Sequence, residues 1–110
     1  MALDRGLIDW VAEALAPLGI VTHRRMMGGA ALYLDGVIFA LVTRDGALWF
    51  KADAVSDAAW DAEGCERFRY ARAGRTASIN YRRAPEAVHD DAEAMRSWAL
   101  LGVAAGRRAA

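Results

Sequence analysis

Two Asp-Gly dipeptides, Asp35-Gly36 and Asp45-Gly46, bracket the apolar run Val37-Ile38-Phe39-Ala40-Leu41-Val42 with Thr43 at its end. Asp-Gly suits a tight hairpin because both turn residues tolerate positive φ, so the chain is expected to reverse on each side of an apolar strand. Ile20 to Met26, with β-branched Ile20, Val21 and Thr22, reads as extended. So do Ala31 to Leu34 and Ala47 to Lys51. The pattern predicts an antiparallel meander of four strands in which the most apolar, from Val37, is the most central. On its last strand Leu48 and Phe50 should face the core, and Trp49 and Lys51 the other side.

Helical periodicity flanks the meander. Leu3, Leu7, Val11, Ala14, Leu15 and Leu18 recur at spacings of three and four, which predicts an amphipathic helix over residues 4–17, closed by Pro17 and Gly19. Val55, Ala58, Ala59 and Ala62 predict a second, short helix over 53–63, ended by Gly64. Alternation returns at Phe68 and Tyr70, turns at Ala73-Gly74 and runs on through Ile79 and Tyr81 to Pro85, a second hairpin. Asp90 with Glu93 reads as an aspartate capping box opening a last helix, with the stripe Ala94, Met95, Trp98, Leu101, Gly102 and Ala105, that ends near Arg107. The order α-β-β-β-β-α-β-β-α describes an α+β two-layer sandwich, an antiparallel sheet with helices on one face.

At 110 residues, 55% of them hydrophobic, the chain is long enough for one core and too short for two ordinary domains, so residues 1–110 are read as one domain. The longest uncharged strand run is far short of the roughly 20 apolar residues of a membrane span. The N-terminus has neither the basic flank nor the apolar core of a signal peptide. A soluble, cytoplasmic protein is expected. Cys65, the single cysteine, has no partner for an internal disulfide.

The net charge is zero but its sign is segregated. Asp53, Asp57, Asp61, Glu63 and Glu66 run without a basic residue, and Arg67, Arg69, Arg72, Arg75, Arg82 and Arg83 then follow without an acid. Lys51 is the only lysine, so the positive charge is almost all guanidinium, which forks onto carboxylates and phosphates. The simplest expectation is a solvated strand face whose arginines pair with the acidic helix.

No pattern of known catalysis emerges. Gly28-Gly29 fits neither phosphate-loop pattern and leads into a strand, so it reads as a bend that switches the face presented, with Met26 or Met27 packed inward and at least one of Arg24 and Arg25 outward. His23, His89 and Cys65 share no ligand-pair spacing, and Cys65 sits beside acidic residues that raise a thiol pKa. Ser56, Ser78 and Ser97 occupy no nucleophile elbow. Catalytic, metal and cofactor residues are therefore expected to be none. Trp10, Trp49, Trp60 and Trp98 are spread one per element, and most read as core. Trp49 is the exception: with Tyr81 or Tyr33 it is expected to form an exposed aromatic patch.

The block Arg24-Arg25-Met26-Met27-Gly28-Gly29-Ala30-Ala31-Leu32-Tyr33, followed by Asp35-Gly36-Val37-Ile38-Phe39-Ala40, resembles the signature of the TfoX/Sxy N-terminal domain family. Leu48-Trp49-Phe50-Lys51, Phe68-Arg69-Tyr70 and the Tyr81 strand leading to Pro85 and a closing helix extend the resemblance over almost the whole chain. Met27 stands where the family pattern has phenylalanine, and Ala31 where it has glycine. The resemblance implies a two-layer α+β domain in a family named for regulators of natural competence. Its best-known members carry a second, helical domain and act with the cyclic AMP receptor protein on DNA-uptake genes. It brings no catalytic residues, and the chain is read as a stand-alone domain of this type.

The leading expectation is a non-enzymatic regulatory module that meets a protein partner through Arg24, Arg25, Trp49, Arg67, Arg69, Arg72, Arg75, Arg82 and Arg83. Direct nucleic-acid binding through the arginine-rich strands is the second reading. A small-molecule pocket near Arg24, Arg25 and Cys65 is the third. The strand after the first helix is expected at a sheet edge, which leaves room for a homodimer.

Overall fold

A computed structural model describes residues 4–110. In chain order it contains α1 (Arg5–Leu15), β1 (Val21–Met26), β2 (Gly29–Leu34), β3 (Val37–Val42), β4 (Leu48–Lys51), α2 (Asp57–Ala62), β5 (Arg67–Arg72), β6 (Arg75–Arg83), a 3-10 turn (Glu86–His89) and α3 (Ala92–Ala109). This is the expected order of elements and an α+β fold. The two hairpin groups share one six-stranded antiparallel sheet, ordered β1-β2-β3-β4-β6-β5. The chain leaves β4, passes through α2, enters at the far edge as β5 and returns as β6 beside β4. β1 lies at the opposite edge.

Three of the connections are two-residue hairpins with positive φ at both central residues, as a type I′ turn requires: Met27-Gly28, Asp35-Gly36 and Ala73-Gly74. Asp45-Gly46 closes differently. Only Gly46 has positive φ, and the amides of Gly46 and Thr43 donate to the carbonyls of Thr43 and Ala47 at 2.9 Å each, the mark of a three-residue loop. The segment 24–29 is thus a hairpin tip and not a face-switching bend. Neither methionine packs inward: Met26 is 43% and Met27 89% exposed. Gly29 is fixed by sterics, since a Cβ there would overlap the Val42 carbonyl oxygen.

The helices cover one face. Ile8, Val11 and Leu15 of α1, Trp60 of α2 and Met95, Ala99 and Val103 of α3 pack with Ala30, Leu32, Leu34, Phe39, Ala40, Val42, Leu48 and Phe50 of the sheet. Leu48 and Phe50 face this core as their alternation requires. α3 lies directly on β3 because its contact stripe lacks side chains: a Cβ at Gly102 would sit 2.6 Å from the Phe39 carbonyl oxygen, and one at Gly106 would overlap that of Ile38.

The first helix ends at Leu15, two residues short of expectation, and two helix starts and one turn also differ. α2 starts at Asp57, because Asp53 and Ser56 bond side chain to backbone in both directions, each at 3.1 Å, and hold residues 54–56 as a turn. α3 is capped by Asp91 instead of Asp90; its carboxylate accepts from the amides of Glu93 and Ala94. The 3-10 turn before it, which periodicity does not signal, accepts the Trp10 indole N–H at the Val88 carbonyl, 2.8 Å away, and ties α1 to the start of α3.

Candidate interaction surface

The face away from the helices is set by strand register. Directly paired residues share a face, so Arg24, Ala31, Leu41, Trp49 and Arg83 form one continuous row across β1, β2, β3, β4 and β6. Apolar side chains fill the middle and an arginine stands at each end. Four strand spacings of about 4.8 Å place those arginines on the order of 19 Å apart. Arg25 pairs with Ala30 and belongs to the other face.

A small second cluster of Ala47, Trp49 and Tyr81, with Leu41 and Phe68 against it, holds this face together. Phe68 meets the Trp49 ring edge-on at 4.9 Å between centroids, and the Arg83 guanidinium lies 5.6 Å from the same ring. Lys51 Nζ sits 5.1 Å from the Tyr81 ring. These contacts leave Trp49 and Tyr81 each only 8% exposed, so the expected exposed aromatic patch is absent. Strand alternation put Trp49 on the correct face but could not reveal that β5 and Arg83 cover it.

Beside this cluster lies a groove of about 740 Å³, bounded by the β1–β2 hairpin tip on one side and the β5–β6 hairpin on the other. Met26 and Met27 form one wall, Phe68, Tyr70 and Ile79 the other, with Leu41 between and Arg44 and Arg72 also lining it. An adjoining hollow of about 380 Å³ brings Arg69 and Asp45 beside Trp49 and Phe68. Asp45 accepts from the Thr43 hydroxyl, which lowers its pKa from the ordinary value and keeps it ionised. No local sequence pattern marks the groove: Arg44 sits in a loop with no periodicity, and the apolar pair Met26-Met27 reads as having one member packed inward.

The arginines divide into two groups. Arg82, only 2% exposed, donates to Asp61 at 2.6 Å, Asp57 at 3.0 Å, the Cys65 carbonyl at 3.0 Å and Asn80 at 3.0 Å. It is therefore a structural clasp between β6 and α2, and its place in the expected surface is corrected. Arg67 joins the clasp at 3.6 Å from Asp57. The Asn80 amide, then the two guanidiniums, hold the Asp57 carboxyl below the usual range. Arg24, Arg25, Arg69, Arg72, Arg75 and Arg83 are exposed, and among the described residues none is in an ion pair.

The third expected locus does not form. Cys65 is buried on the helix side of the sheet, its thiol pKa raised by burial, and it shares neither cavity with Arg24 or Arg25. Among the described residues no group of three or more His, Cys, Asp or Glu gathers as metal ligands would. None of the described helices is long and apolar enough to cross a membrane.

The family model of the TfoX N-terminal domain aligns with residues 13–106. The chain belongs to the TfoX N-terminal domain family. It is 38% identical to the DNA transformation protein TfoX1 of Aliivibrio fischeri over 64 residues, covering 58% of this chain and 30% of that protein. It is 32% identical to protein Sxy of Escherichia coli over 81 residues, covering 69% of this chain and 36% of Sxy. This TfoX domain therefore spans about a third of the length of the curated relatives it matches. Within it the signature block 24–36 supplies two hairpin tips, one wall of the groove and the Arg24 end of the cross-strand row.

Proposed function

We propose that this domain is a non-enzymatic regulatory interaction module, a transcriptional co-regulator acting in the cytoplasm through a protein partner held on the open sheet face. The observation that carries the reading is the union, on that face, of an apolar groove with arginines that, among the described residues, are in no ion pair. The similarity to TfoX1, a DNA transformation protein, supports a competence-related setting. Affinity purification of the tagged chain from cells of its own species, followed by mass spectrometry, tests it. A reproducible protein partner whose loss changes the same transcripts as loss of this chain is the expected result. No reproducible partner, or no transcript in common, overturns it.

Direct nucleic-acid binding has one observation in its favour, the exposed arginines along β5 and β6. Against it, two of the aromatic side chains on this face are occupied, since Trp49 and Tyr81 are covered by Phe68, Arg83 and Lys51, which leaves Tyr70 as the exposed ring. An affinity for oligonucleotides that falls steeply with salt and with Arg72→Ala and Arg75→Ala would favour this second reading.

A further inference from the structure

The groove is apolar at its floor and cationic along its lining, and both properties select an occupant. Met26 and Met27 stand in solvent at the β1–β2 tip, opposite Phe68, Tyr70 and Ile79. Exposed thioether side chains repack at low cost around another protein's apolar side chains, which is the use that promiscuous protein-binding surfaces make of methionine. Arg44 and Arg72 line the groove and Arg69 the hollow beside it, and among the described residues none of the three is in an ion pair. Asp57 and Asp61 are held by Arg82, and Asp53 by Arg108, on the helix side of the sheet; Asp45, bonded to the Thr43 hydroxyl, is the one acid lining the adjoining hollow.

We propose that this groove docks an acidic amphipathic peptide segment of the partner protein, with apolar side chains seated between the methionines and Ile79 and flanking carboxylates on Arg44 and Arg72. The inference rests on the interaction reading above and gives that partner its chemistry. Guanidinium forks suit carboxylates, whereas a basic segment would meet like charge at every arginine. Met26, Met27, Leu41 and Ile79 outnumber the two aromatic rings of the lining, Phe68 and Tyr70, and this mixed apolar surface suits leucine and phenylalanine side chains.

The test uses the full chain and fluorescence anisotropy with three labelled probes. Two are synthetic amphipathic peptides with the same leucine and phenylalanine pattern, one carrying glutamates and the other lysines at the polar positions. The third is an oligothymidine. The glutamate peptide is expected to bind at least about tenfold more tightly than the lysine peptide at low salt. Arg44→Glu with Arg72→Glu, and separately Met27→Asp, should each weaken it about tenfold or more, while Arg107→Glu at the far end of α3 leaves it unchanged. All four positions are exposed, and circular dichroism checks that the variants fold.

Equal binding of the two peptides, no binding of either, or binding indifferent to the groove variants overturns the proposal. So does tighter binding of oligothymidine at the same arginines. Self-association abolished by the groove variants would make a second copy the occupant and would likewise overturn it. The two failures separate: a cellular partner recovered equally well by the groove variants refutes the groove and keeps the interaction module. Glutamate-peptide binding in the groove with no cellular partner does the reverse.

Discussion

The Arg82 guanidinium, buried between β6 and α2, donates to the Asp61 carboxylate at 2.6 Å, and its other branch reaches Asp57 at 3.0 Å. The ion pair is one-sided in its exposure, for Arg82 is buried while Asp61 stands largely in water. Truncating the arginine therefore strands carboxylates that can rehydrate, but it also empties a well-filled site and leaves the Cys65 carbonyl and Asn80 without their donor. Arg82→Ala is expected to cost about 2–4 kcal/mol, at or below the range for breaking a buried pair. Urea unfolding checks this, with the change seen in the midpoint and an unaltered slope. Arg75→Ala, on the exposed hairpin, should fall within about 0.5 kcal/mol of wild type.

Close packing of α3 on β3 depends on two absent side chains. Gly106→Ala places a Cβ on the Ile38 carbonyl, which is backbone and cannot rotate away, so the helix must lift from the sheet. Gly102→Ala meets the Phe39 carbonyl at 2.6 Å and does the same less severely. In an exposed helix each change would gain about 1 kcal/mol from propensity. Here both are expected to destabilise, by about 1–3 kcal/mol, with Gly106→Ala the worse. Thermal melts of the two variants, read beside Ser97→Ala at an exposed site of the same helix as a propensity control, separate the two effects.

The sequence carried most of the fold because three independent signals agreed. Helical stripes, strand alternation and positive-φ turn residues each specified elements whose order the structure reproduces, and Leu48 and Phe50 face the core for the reason their alternation gave. What failed was whatever depended on contacts distant in sequence. Arg82 looks like its neighbours Arg67 and Arg83 until β6 lies beside α2 and Asp57 and Asp61 come within reach. Trp49 looks exposed until β5, a remote strand, brings Phe68 against it. The groove needs both hairpins at once, and no local pattern marks a wall shared by Met27 and Ile79. The opposite charges of the 53–66 and 67–83 segments did announce a pairing, though not which of the arginines it would consume.

The Ala73-Gly74 turn holds an alanine at φ 52°, a region that a Cβ disfavours. Asn and Gly occupy this first position of a type I′ hairpin at lower cost. Ala73→Asn is therefore expected to stabilise the β5–β6 hairpin by about 0.5–1 kcal/mol. Ala73→Val should do the reverse, since a β-branched residue tolerates positive φ least. Amide hydrogen exchange along β5 and β6 is the direct readout, with slower exchange in the asparagine variant and faster exchange in the valine variant.

Arg108 on the last turn of α3 grips Asp53 at the start of the α2 turn, with Nε 2.6 Å from Oδ2 and Nη2 2.9 Å from Oδ1. This fork, more than the Ser56 amide, lowers the Asp53 pKa to about 2, and it raises that of Arg108. A carboxyl with a depressed folded-state pKa stabilises the fold above its unfolded value, near 3.9, and loses that contribution as pH falls towards 2. Arg108→Gln lets Asp53 return towards the ordinary range. The variant should accordingly be less stable than wild type at pH 5 to 7, by a margin that salt reduces because the pair is solvated. The margin should shrink steadily between about pH 4 and pH 2. Denaturant midpoints for both proteins across that interval check the sign, and a difference that grows on acidification would show that Arg108 stabilises the fold by some means other than Asp53.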